Sequence, residues 1–307
     1  MKIQSLSVAV PVIGKCPMGC KGCVSKLHCH KYENFFHRKN PRLFQNHNKY
    51  RKALAFTRDN GCNTMIFTGS GEAILNKSFV NMVADTNKSL VQPFRCIELQ
   101  TSGVFLLQKK DGVLKNLDWL RDEVGVDTIS LSLWSIWSSE QNASCCNLVN
   151  SKVYVNIDET CRAIKEYGFI LRLSLNMTDF YNDKSPEEIF ARAKALGADQ
   201  ITFRKLYNVQ NPQNAEEEEV NNWVIQHQCN PEKIKEINEY ARTHGVRLEK
   251  LPFGAQKYAV NEMSCVVDED CMSSDLEKEA SEEMKYLVLR ENCGLYSRWD
   301  NNGSRVL

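Results

Sequence analysis

The stretch AVPVIGKCPMGCKGCVSKLHCH, residues 9–30, sets Cys16, Cys20 and Cys23 directly behind an apolar run, with His28, Cys29 and His30 just beyond. Such a cluster suits a zinc site, a disulfide framework or an iron–sulfur centre, and each implies a different protein. Structural zinc sites usually join two Cys-x-x-Cys-type pairs into four ligands. Here a Cys-x3-Cys-x2-Cys loop offers three thiolates and no matching pair follows downstream, although His28, Cys29 or His30 could supply a fourth ligand. Three cysteines on one loop also suit a 4Fe–4S cluster in which one iron has no protein ligand. Gly19 and Gly22 allow the loop to wrap tightly enough for the sulfurs to face one centre.

Composition bears on the disulfide alternative. The chain has 307 residues, 42% hydrophobic and 25% charged, which is ordinary for a soluble globular protein. Its net charge of +1 creates no global field for nucleic acid or membrane. No apolar run reaches the length of a membrane span. The opening MKIQSLSVAVPVIGK is too short and polar for a signal peptide. The expectation is a cytoplasmic protein. Its 13 cysteines are odd in number, and Cys62, Cys96 and Cys161 lie singly inside periodic segments. In a reducing compartment clustered cysteines point to metal or catalysis, so a disulfide framework is set aside.

Strand-like and helix-like segments alternate. Strands are expected near residues 5–13, 64–68, 95–101, 127–133, 169–175 and 200–206, with helices near 47–59, 77–91, 112–123, 156–167, 185–196 and 231–244. Gly61 and Gly168 follow helices as C-terminal glycines, and Ser185-Pro186-Glu187-Glu188 opens one. The pattern predicts an α/β fold, a partial (β/α)6 TIM-like barrel over residues 1–206. Residues 207–307 are expected to form a small C-terminal extension of helix, strand and hairpins that completes or covers it. Within it, NPQNAEEEEVNN reads as a solvated acidic loop or helix start.

Several strands are amphipathic. Leu131, Leu133, Leu171, Leu173 and Leu175 face one way, while Ser130, Ser132, Arg172, Ser174 and Asn176 face the other. Glu98, Gln100, Thr202 and Arg204 repeat the pattern. An antiparallel sheet with one wet face is one explanation; with helices between the strands, a barrel with a polar lumen is preferred.

The cysteine loop behind a first strand resembles the radical S-adenosylmethionine (radical SAM) superfamily. After strand two, Gly69-Ser70-Gly71-Glu72 is similar to that family's Gly-Gly-Glu-Pro loop, with Ser70 between the glycines and Ala73 where proline stands. After strand three, LQTSG with Thr101 is similar to its Thr-Asn-Gly turn. The family usually has an aromatic residue before the third cysteine; here it is Gly22. The resemblance covers roughly residues 5–206.

The resemblance implies that Cys16, Cys20 and Cys23 hold a 4Fe–4S cluster whose open iron binds S-adenosylmethionine. It implies that Gly69, Ser70, Gly71 and Glu72 hold the methionine amino end, that Thr101 lies in the matching turn, and that Ser132 and Arg172 sit where the ribose hydroxyls and the carboxylate of the cofactor bind, with Ser130, Ser174 or Asn176 as alternative contacts. Reductive cleavage would yield a 5′-deoxyadenosyl radical that abstracts hydrogen from a small or nucleotide-like substrate in the lumen. Alternatives are peptide modification or glycyl-radical activation, and a non-catalytic zinc protein that binds nucleic acid. An electron donor such as flavodoxin or ferredoxin is the implied partner. Residues 26–52 hold four of the six histidines with many Lys and Arg, a composition suited to RNA contact or to a plain solvated face. Cys265, Cys271 and Cys293 lack a Cys-x-x-Cys pair and read as ordinary cysteines rather than ligands of an auxiliary cluster.

Overall fold

The computed structural model describes residues 2–11, 15–27, 47–251, 255–268, 283–299 and 302–307. From the N-terminus, β1 (Lys2–Ala9), α1 (His47–Asp59), β2 (Thr64–Thr68), α2 (Lys77–Lys88) and β3 (Cys96–Thr101) alternate. Then come α3 (Lys115–Asp118), continued by a π-helical turn over Trp119–Val124, then β4 (Thr128–Leu133) and α4 (Ser139–Ser144). The alternation ends with α5 (Ile157–Glu166), β5 (Ile170–Asn176), α6 (Pro186–Ala195) and β6 (Gln200–Arg204). The local signals explain the boundaries. Ser185 Oγ accepts from the Glu188 amide at 3.1 Å while Glu188 accepts from the Ser185 amide at 2.7 Å, a reciprocal cap at the start of α6. Gly61 and Gly168 take φ of +84° and +82° just past α1 and α5.

Strands β1 to β6 lie side by side in sequence order and all run parallel. The remainder of the chain supplies α7 (Ala215–His227), α8 (Pro231–His244), β7 (Val246–Lys250), β8 (Gln256–Val260), β9 (Met263–Asp268), β10 (Glu283–Leu289) and β11 (Leu295–Tyr296). Strand β10 joins the edge of β1 and β9 joins the edge of β6, both parallel to their neighbours. The sheet order is β11-β10-β1-β2-β3-β4-β5-β6-β9-β8-β7, and among the described residues β9 and β10 do not pair, so the barrel is open.

The two strand faces separate as the alternation predicts. Ile129, Leu131, Leu133, Leu171, Leu173 and Leu175 are fully buried in one core with Ile157, Ile164, Ile189 and Phe190 of α5 and α6. The other face carries Glu98, Ser130 and Ser174 buried, and Ser132, Arg172 and Asn176 half-buried. The strands are parallel, so the antiparallel alternative does not apply.

The acidic segment read as a solvated loop or helix start is a helix start, but one face of that helix is buried. From Ala215 it is a helix of 13 residues, capped by Asn214, with Val220 and Val224 buried. The tail forms the β10–β11 hairpin through Glu291–Gly294, while Tyr296 bridges Arg305 around a 3-10 turn at Asn302–Ser304. Among the described residues no helix is long and apolar enough to cross a membrane.

Candidate functional site

The cysteine loop is held as an irregular strand against residues 145–149. Lys21 N donates to Cys145 O at 2.9 Å, Asn147 N to Gly19 O at 3.0 Å and Val149 N to Pro17 O at 3.1 Å. Gly19 has φ of +55°, and a Cβ there would stand 2.6 Å from Asn147 O, so the close approach requires glycine. Cys16, Cys20 and Cys23 are half-buried, and a 3-10 turn over Val24–Leu27 follows the last of them. His28, Cys29, His30 and the chain to residue 46 lie outside the described residues. The rest of the basic stretch opens α1, where Asn48, Arg51 and Lys52 line an open groove of about 490 Å³ with Arg58 and Gln92.

All three thiols of the loop have pKa values pushed upward. Burial pushes Cys16 up to about 11, with smaller upward pushes from Glu72, Cys20 and Cys23. A hydrogen bond from Cys146, then burial, raises Cys20, and burial raises Cys23 with help from Cys20. The three thiols therefore sit within one another's electrostatic reach, and loading a metal must expel their protons. Three soft thiolates on one tight loop fit an iron–sulfur cluster in number and chemistry. Among the described residues no three His, Cys, Asp or Glu side chains converge as a finished metal site. Cys20 is instead turned toward Cys146, whose Sγ lies 3.6 Å from its own. The residues fit the cluster if Cys20 swings away from Cys146.

The second predicted loop lies beside the first. A Cβ on Gly69 would stand 2.6 Å from Val10 O, so glycine lets the ends of β1 and β2 meet. Glu72 is buried and accepts from Thr101 Oγ1 at 2.6 Å, Ser102 N at 2.9 Å and Ser102 Oγ at 2.5 Å. Burial raises its pKa and these three donors oppose the rise. Its charge reaches Cys16 and Cys20. The structure thus brings Gly69, Glu72 and Thr101 to the cysteine loop. Ser70 and Gly71 occupy the half-buried bend between.

On the later strands, Asn176 Nδ2 donates to Ser132 Oγ at 3.2 Å, and Asn176 is in register with Arg204 at the end of β6. Arg172 lies four residues before Asn176, roughly 13 Å deeper along β5. There it forms an ion pair with Glu98 across β4, and its Nε donates to Gln200 Oε1 at 2.7 Å. Ser130 Oγ and Arg204 Nε are buried with no hydrogen-bond partner among the described residues. Cys265 is buried in β9 and Cys293 beyond β10, next to opposite edges of the β1–β6 array; Cys271 lies outside the described residues.

Three features were not anticipated. Ser102 shares Glu72 with Thr101, and its place in the Thr-Ser-Gly turn could have indicated it. Trp134 and Trp223 crowd Gly22, their rings edge-to-face at 5.4 Å, and Val220, Trp223, Val224 and His227 show the helical spacing that would have found the latter. Cys146 gave no periodic signal, only its adjacency to Cys145.

No protein-family model matches the chain, and no curated protein matches it. Among solved structures, one of native anSMEcpe with bound AdoMet and a Kp18Cys peptide is 11% identical, with a TM-score of 0.56 over 98% of this chain and 76% of its own. Another of native anSMEcpe with bound AdoMet is 12% identical, with a TM-score of 0.49 over 78% and 61%. A radical SAM methyltransferase from Sphaerobacter thermophilus is 18% identical, with a TM-score of 0.45 over 72% and 62%. The chain thus spans less than two-thirds of the length of the last two. The fold is an α/β open parallel barrel. In particular, it is the fold of the peptide-bound anSMEcpe structure.

Proposed function

We propose that this chain is a radical SAM enzyme that reductively cleaves S-adenosylmethionine and abstracts hydrogen from a small or nucleotide-like substrate. The observation that carries the reading is Glu72. A buried carboxylate, fixed by Thr101 and Ser102 and within electrostatic reach of Cys16 and Cys20, is a place for an ammonium beside a metal-binding loop. Cys16, Cys20 and Cys23 would hold the cluster. When bound, a 4Fe–4S cluster supplies the electron that breaks the carbon–sulfur bond of the cofactor.

The protein's own residues do the rest. Glu72 orients the amino group, and Ser132 and Asn176 offer paired polar groups at the mouth. Arg204 takes the carboxylate more readily than Arg172, since Arg172 is already engaged by Glu98 and Gln200. Helix α7 acts as a cover, with Val220, Trp223 and Val224 excluding water above the cysteine loop. A flavodoxin- or ferredoxin-type protein would deliver the electron. Peptide is the second substrate class, because the structure matched over 98% of this chain holds a peptide.

Anaerobic reconstitution followed by S-adenosylmethionine and dithionite tests the reading. Expected are about four iron atoms per chain, and 5′-deoxyadenosine that disappears in Cys20→Ala. Tightly bound zinc with no 5′-deoxyadenosine from the wild type overturns it.

A further inference from the structure

Cys146 stands beside the middle cluster ligand, in an arrangement that the proposed chemistry does not use. The backbones of Cys20 and Cys146 form an antiparallel bridge. The bonds around it run from Lys21 N to Cys145 O at 2.9 Å and from Asn147 N to Gly19 O at 3.0 Å. Bonds between the flanking residues make Cys20 and Cys146 a non-hydrogen-bonded pair, the closer of the two antiparallel registers, with Cα atoms about 4.5 Å apart. That separation lies inside the range of about 4.4–6.8 Å that a disulfide spans. The sulfurs are 3.6 Å apart, so bond formation needs side-chain rotation and no backbone movement. Cys145 is directed elsewhere, its thiol donating to Gln141 O at 3.7 Å.

We propose that Cys20 and Cys146 form a reversible disulfide in the cluster-free protein, which removes one of the three cluster thiolates until it is reduced. The consequence for the cluster rests on the function proposed above; the disulfide itself does not. The oxidant is a low-molecular-weight disulfide. The half-exposed Cys20 attacks it as thiolate and releases one small thiol. Cys146 then attacks the Cys20 sulfur of the mixed disulfide and releases the second. Two protein thiols lose two protons and two electrons, and one small disulfide becomes two thiols. This is a redox latch of the transient intracellular kind, distinct from a structural framework.

The test treats reduced, cluster-free full-length protein with oxidised glutathione, alkylates free thiols, digests with trypsin and maps linked peptides by mass spectrometry. Expected is a link between peptide 16–21 and peptide 122–152. It persists in Cys145→Ser and Cys16→Ser and vanishes in Cys146→Ser. A link between peptides 16–21 and 22–26 in its place, or no link, overturns the proposal. A second arm measures anaerobic iron uptake. Oxidised wild type takes up iron only after reduction by dithiothreitol, and Cys146→Ser treated identically carries a glutathione adduct on peptide 16–21 where the wild type carries the link. Full uptake by protein whose link persists overturns the latch. If reduced protein takes up no iron while the link forms, the proposed function fails and the disulfide pair stands.

Discussion

Gly22 is the residue at which this chain departs most visibly from the pattern it resembles, and the structure supplies the reason. A Cβ at that position would meet Trp223 Cζ3 at 2.5 Å and Trp134 Cη2 at 3.0 Å. The space that an aromatic side chain would use is already filled by two indoles, one from the end of β4 and one from α7. An aromatic at residue 22 would have to displace them. Gly22→Phe should destabilise the protein by about 1–3 kcal/mol, the usual cost of overpacking, read as a lower midpoint in urea unfolding. Adding Trp223→Ala should recover part of that loss by opening the space. A Gly22→Phe variant as stable as the wild type, or no recovery in the double variant, would show that Trp223 is not fixed over the loop.

At the scale of the element, α7 decides how well the cysteine loop is protected. Val220 and Val224 are buried against Met18 and Leu27 in a cluster separate from the main core. Val220→Ala and Val224→Ala should each cost about 1–2 kcal/mol. Together they should speed hydrogen exchange at the Lys21 and Lys26 amides, which bond Cys145 O and Cys23 O. Exchange at the centre of β4 and β5 should stay unchanged; if it rises equally, the helix is part of the global unit and not a local cover. This helix also marks where the sequence stopped being legible. The β1–β6 alternation, the span His47–Asp59 and the cap at Ser185 all follow from local rules, and their boundaries fall close to expectation. In α7 the run Glu216 to Glu219 masked the apolar stripe behind it. Those acids belong there for a local reason, since the N-terminal turn favours negative charge and Glu217 accepts from Gln213 N at 2.6 Å. Glu72 beside Thr101 was equally readable, as two loops at adjacent strand ends. Cys146 was not, because only the register between two distant loops brings it to Cys20.

At the scale of the molecule, the sheet is finished by strands whose partners are far away in sequence. Strand β10 pairs with β1 along its length, Lys2 with Glu283 through Val8 with Leu289, and no local pattern announces such a pairing. The turn beyond β10 is tied to the barrel by Tyr50 of α1, whose hydroxyl donates to the Glu291 backbone oxygen at 2.6 Å. Closing this seam buries the Glu291 side chain to 6% exposure, and burial raises its pKa from 4.5 to about 7. A carboxyl whose folded pKa exceeds its unfolded value binds more protons in the native state between the two. Its contribution to stability is therefore fully present below about pH 4.5 and is lost as pH rises through 7. The full shift corresponds to about 3 kcal/mol, which relaxation of the turn around the charged carboxylate reduces to about 1–2 kcal/mol. Urea unfolding at about pH 5 and pH 8 should show that difference for the wild type, and Glu291→Gln should flatten it. If the variant keeps the full pH dependence, the titrating group lies elsewhere and the seam at β10 is not what makes this fold sensitive to pH.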